Sequence, residues 1–196
     1  MAVVTPTIKG YPVVEANILK ARHTGRIWSQ YGLDKTAFAA KKAYNGMVLA
    51  IDDAAKSVKF PTKGGSATEV YALHMSSEGE YEAKGLNSFA VALEPVEGEP
   101  NVSVQYPRMY QLSVGDVLHT NCVELDGTNV TAIDGDAATS VKSLLAKGTA
   151  VYGGVSDSGY IALNTTAAAN GPSFQVVAVS TLPNGEWAVK LVVRKA

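Results

Sequence analysis

After Gly46 the apolar residues arrive in short β-branched and aromatic runs, each broken by clusters of Gly, Asn, Asp, Pro or Ser. That rhythm belongs to antiparallel sheet, because branched and aromatic side chains pack well on a pleated surface while the turn formers supply the backbone reversals. The runs cover residues 47–51, 57–60, 69–75, 88–93, 109–112, 117–125, 129–133, 149–155, 160–163, 174–181 and 187–193. So many short strands predict a mainly β chain, an antiparallel β-barrel or sandwich, with an extended N-terminal arm and one or two short helices.

The strongest local signal is the last hairpin, in which residues 174–179 and 187–193 flank Pro183-Asn184-Gly185 and Asn-Gly offers positive φ at little cost. Further hairpins are predicted around Asp126-Gly127 and Asp157-Ser158-Gly159. A short helix is expected over 33–46, with Asp34 as cap, Leu33 and Phe38 as a hydrophobic staple and Asn45-Gly46 as its stop. A second is expected within 137–147, where Val141, Leu144 and Leu145 share a face and Gly148 ends the run.

Charge divides the chain. Residues 1–46 carry seven Lys and Arg against Glu15 and Asp34, a net of +5, whereas the remainder carries ten basic against sixteen acidic side chains, a net of −6. The domain expectation follows: residues 1–32 form an extended basic arm, and 33–196 form the β-rich body. In the arm, Lys9, Lys20, Arg22 and Arg26 are interleaved with Tyr11, Trp28 and Tyr31, and these seven are the candidate partner-binding residues. A nucleic-acid partner is disfavoured, since an acidic body would be repelled by the polyanion the arm attracts and no recognised nucleic-acid-binding motif accompanies it. The arm is expected to complement its own body, an identical neighbour or another protein. The single cysteine, Cys122, permits no internal disulfide, and no stretch reads as an export signal or a membrane span, so synthesis in a cytoplasm is expected.

Chemical motifs are sparse. His119 and Cys122 could form a nucleophile pair, but a separation of three along a strand sends them to opposite faces. His23 and His74 stand elsewhere, and no zinc-type spacing links them. Residues 126–136 offer oxygen ligands without the spaced acidic pattern of a calcium loop. Gly64-Gly65 and Gly153-Gly154 lack a phosphate-loop pattern. No catalytic residue, metal or cofactor is therefore expected, and binding is expected in place of catalysis.

Three stretches give the chain a likeness to known proteins: residues 45–52 opening the β region, Leu112-Ser113-Val114-Gly115-Asp116-Val117 in its middle, and the closing hairpin of 174–193. In these it resembles tailed-phage virion structural proteins, in particular capsid decoration or head-stabilising auxiliary proteins. The resemblance implies a non-enzymatic virion protein that binds the capsid exterior, with the major capsid protein or another virion protein as partner and self-association as a further option. A tail, baseplate or head-fibre component fits the same likeness. A carbohydrate- or host-surface-binding module is another class, for which Trp187 and Tyr160 are the ring-stacking candidates. A Cys122-dependent enzyme is the third.

Overall fold

The computed structural model describes residues 5–6, 13–39, 41–76, 92–93, 106–182 and 185–196. They are mainly β and form an eight-stranded sheet, a six-stranded sheet and a two-stranded pair. With strands numbered along the chain, the eight-stranded sheet runs β1 (Thr5–Pro6), β12 (Val123–Leu125), β14 (Ile161–Asn164), β13 (Tyr152–Val155), β15 (Ser173–Thr181), β16 (Trp187–Lys195), β11 (Val117–Thr120), β2 (Val14–Ile18). The six-stranded sheet runs β3 (Ile27–Trp28), β10 (Met109–Gln111), β8 (Val70–His74), β6 (Val48–Asp52), β7 (Ser57–Lys59), β4 (Gly32–Leu33). The small pair joins β5 (Ala43–Tyr44) to β9 (Ala92–Leu93). Pairing is antiparallel except between β12 and β14 and between β4 and β7.

Connectivity forces both large sheets to curl. In a flat six-stranded sheet the edge strands β3 and β4 would stand about 24 Å apart at the usual strand spacing. Only Ser29, Gln30 and Tyr31 join them, and four Cα–Cα steps reach at most about 15 Å. In the eight-stranded sheet β12 and β11 are five intervals apart, again about 24 Å if flat. Asn121 and Cys122 alone connect them, a reach of about 11 Å. One continuous N-terminal segment thus provides all four edges of the two sheets. The residues expected to extend as an arm, so far as they are described, are woven into the body. Lys9 and Tyr11 lie outside the described residues.

Alternation along the strands sorts side chains into two cores. From β6, Val48 joins a cluster with Leu73, Tyr110, Leu118, Val123, Ile161, Phe174, Val189 and Leu191, which fills the space between the sheets. Its neighbours Leu49 and Ile51 turn the other way, into a second cluster with Leu33, Phe38, Val58, Ala72, Met109 and Cys122. Burying this many branched and aromatic side chains, each contributing about 1.5–3 kcal/mol, is the main stabilising term.

Two local expectations are corrected. Among the described residues of 33–46 there is no helix. Leu33 is drawn into β4 and Ala43 into β5, leaving only an irregular turn in which the Asp34 carboxylate accepts the Ala37 N–H at 2.7 Å. Phe38 does not staple a helix but stacks on Phe60, ring centroids 4.3 Å apart, inside the second core. Gly46 serves a close approach, because a Cβ there would lie 2.7 Å from Cys122 Cβ and its φ is +92°. Secondly, 129–133 is no strand and Asp126-Gly127 turns no hairpin. The Asp126 carboxylate accepts the backbone N–H groups of Thr128, Asn129 and Val130, folding the loop on itself and lowering its own pKa against the pull of burial. The expected helix within 137–147 is present as α2 (Val141–Ala146), capped by the Ser140 side chain, which accepts the Ser143 N–H. A helix not expected, α1 (Lys20–Thr24), ends on Gly25 in the left-handed region.

Candidate functional site

The short helix α1 fixes where the arm's cations point. Leu19 and Ala21 are buried, so Lys20, Arg22 and His23 are left on the solvent side. The chain then enters β3, and the Arg26 carbonyl accepts the Gln111 N–H at 3.2 Å. Arg22 lies over the Tyr110 ring with its guanidinium carbon 5.8 Å from the centroid, and Arg108 lies over the same ring at 5.8 Å. Arg22 also approaches Met75 Sδ at 3.9 Å. Among the described residues none of Lys20, Arg22, Arg26 and Arg108 forms an ion pair. Tyr106, 54% exposed, precedes Arg108 by two positions. The result is a pair of guanidinium groups on one aromatic ring, with Lys20 and Arg26 exposed nearby in sequence and Arg108 supplied from the neighbouring strand and so not recognisable as part of the set in sequence.

Trp28 and Tyr31 are engaged differently. Their rings meet at 5.7 Å, both pack against the second core, and the Tyr31 hydroxyl donates to Asp53 at 2.9 Å. That bond to a carboxylate raises the phenol pKa. These two residues anchor the crossing between β3 and β4 and stand half-buried.

A second constellation lies on the outer face of the eight-stranded sheet. Leu118, Val189 and Leu191 face the core, so His119 and Lys190, their neighbours in the strands, face outward. His119 Nδ1 lies 3.1 Å from Glu15 Oε2 on β2, and Nε2 lies 3.0 Å from Ser180 Oγ on β15. To reach Ser180 the imidazole crosses β16, and the residue paired with Ser180 there is Ala188, whose lone methyl leaves room. The spacing of the three residues, 104 and 61 positions apart, gave no signal in the sequence.

The other candidates are accounted for by the fold. Cys122 is fully buried and burial pushes its thiol pKa far up, while both ring nitrogens of His119 are taken by Glu15 and Ser180. His74 is buried between the Tyr44 carbonyl at 2.8 Å and Ser76 Oγ at 2.7 Å, and desolvation lowers its pKa to about 4. Glu124, a buried carboxyl whose pKa is raised by desolvation, accepts from Ser158 Oγ at 2.7 Å and so ties β12 to the turn before β14. Trp187 is 40% exposed but lies under the Lys142 ammonium, 5.4 Å from its ring centre. Tyr160 packs in the second core, and burial raises its pKa to about 12. Among the described residues no group of three or more His, Cys, Asp and Glu is placed to hold a metal ion, and no helix is long and apolar enough to cross a membrane.

No protein-family model, no curated protein and no solved structure matches the chain.

Proposed function

We propose that the chain is a virion structural protein of a tailed phage that binds the capsid exterior, docking through the cationic face built on Tyr110. The observation that carries the docking face is the stacking of Arg22 and Arg108 on the Tyr110 ring, neither with an ion pair among the described residues. In a chain of net charge −1, two guanidinium groups on one ring, with no ion pair among the described residues, favour an acidic protein surface through steering and charge complementarity. Assignment to a capsid comes from the likeness in residues 45–52, 112–117 and 174–193. Many copies on a repeating shell would convert modest contacts per copy into durable attachment. The major capsid protein is the proposed partner. A sugar-binding role has less behind it, because the Trp187 ring already carries the Lys142 ammonium and Tyr160 packs against the second core.

Quantitative mass spectrometry of purified virions gives the decisive number. A copy ratio to the major capsid protein near a simple fraction supports decoration. A few copies per particle moves the protein to tail or baseplate, and its absence from particles ends the virion reading. Within the first outcome, the double reversal Arg22→Glu, Arg108→Glu should weaken binding to bare shells and flatten its salt dependence, with the fold intact.

A further inference from the structure

We infer that Glu15, His119 and Ser180 form a serine-type acyl-hydrolase site on the outer face of the eight-stranded sheet, acting on carboxylic esters. This goes beyond the binding role and does not depend on it, since the cationic face is built on the other large sheet.

The geometry is that of a nucleophile, a base and an orienting acid in series. An activated serine needs its hydroxyl within hydrogen-bond reach of an imidazole nitrogen, and the other nitrogen needs a carboxylate that fixes the tautomer. Here both contacts are made through the two nitrogens of one ring, at 3.0 and 3.1 Å. In the tautomer the mechanism needs, His119 Nδ1–H donates to Glu15 and the Nε2 lone pair accepts from Ser180. The imidazole is held in place by burial, with its side chain 11% exposed, whereas Ser180 is open to solvent. A nucleophile in the open beside a base that cannot swing away is what attack on an external acyl group requires.

Lys190 completes the set. It pairs with His119 on one side and with Ala178 on the other, so its side chain projects from the same outer face. Directly opposed residues bring their Cβ atoms within about 5.5 Å, and Lys190 makes no ion pair among the described residues. Its ammonium is available to stabilise negative charge that develops beside His119.

The reaction balances with water as the only co-reactant. Ser180 Oγ bonds to the ester carbonyl carbon while its proton passes to His119 Nε2, and Glu15 steadies the imidazolium. The tetrahedral oxyanion collapses, the bond to the alcohol oxygen breaks, and that oxygen takes the proton from Nε2. A water then gives a proton to Nε2 and attacks the acyl-Ser180. Collapse returns the proton to Ser180 Oγ and releases the carboxylic acid. Because the site is a sheet face, it suits a short acyl group carried on a large molecule, such as an O-acetyl ester on a polymer.

The test uses the full chain and an alkyl fluorophosphonate probe. The expected result is one adduct, mapped to Ser180, that is absent in Ser180→Ala and in the denatured wild type. With p-nitrophenyl acetate, Ser180→Ala and His119→Gln should each lower kcat/KM by about 100-fold or more. Circular dichroism confirms that Ser180→Ala, an exposed substitution, remains folded. Absence of an adduct on native Ser180, or a His119→Gln variant less stable but equally active, overturns the inference and leaves the three residues as a tie between β2, β11 and β15. Neither result bears on virion copy number, so the two readings fail separately.

Discussion

Replacing Thr120 by Val isolates what holds the N-terminal strand to the body. Thr120 is fully buried, its hydroxyl donates to the Val13 carbonyl at 2.5 Å and accepts the Cys122 N–H at 2.9 Å, and 107 positions separate it from Val13. Val has nearly the same shape and an equal liking for strands, so no cavity opens and propensity is unchanged. What changes is that one buried carbonyl and one buried N–H lose their partner, at about 1–3 kcal/mol each. A combined loss of about 3 kcal/mol should lower Tm by about 6–12 °C for a chain of this length. Urea unfolding should show the midpoint falling with an unchanged slope, since the surface exposed on unfolding is the same. Hydrogen exchange should place the loosening at β2, whose amides exchange faster while those of β6 and β8 keep their protection. A loss under about 0.5 kcal/mol, within the range of an ordinary surface substitution, would refute the reasoning, because both backbone groups would then have found other partners.

Iodoacetamide should leave Cys122 unmodified in the native protein and label it fully in denaturant, since burial holds the thiol protonated and inaccessible; native labelling would contradict the packing. His74 should make the protein acid-sensitive. Its pKa falls from an ordinary 6.5 to about 4 on burial, so the unfolded chain binds the proton first and stability declines as pH drops through that window, by up to about 3 kcal/mol. Urea midpoints at pH 7 and 4.5 should differ less in His74→Gln than in the wild type.

Most of the strands and the closing hairpin were legible because alternation and turn chemistry are local, 129–133 excepted, and 88–91 lie outside the described residues. Residues 187–193 and 174–181 pair as the flanking run demanded, with Leu182 N–H bonding Glu186 O at 2.8 Å to close the turn. Asp157-Ser158-Gly159 likewise joins β13 to β14. What failed did so through distance in sequence. Residues 33–46 carry good helix propensity, yet Leu33 is worth more beside Val58 and Ala43 beside Leu93 than in a marginal helix. The five cationic and aromatic arm residues that the structure describes divide by role, Lys20, Arg22 and Arg26 outward and Trp28 and Tyr31 as anchors. Arg108 joins the outward group only because β10 runs beside β3. Glu15, His119 and Ser180 meet only once β2, β11, β16 and β15 are in register, which no spacing rule could foresee.

The edge strands set a timetable for synthesis. At a ribosome elongating by about 5–20 residues per second, β2 waits roughly 5–20 s before β11, about a hundred residues later, has been made. The partner of β1 is made later still, and the partner of β3 is β10. Throughout that interval the start of the chain carries strand-forming sequence with no ladder to join. Slow translation, or a tag that binds this segment, would prolong the interval, so yield on expression should depend more on what is fused upstream of Val13 than on anything placed after β16.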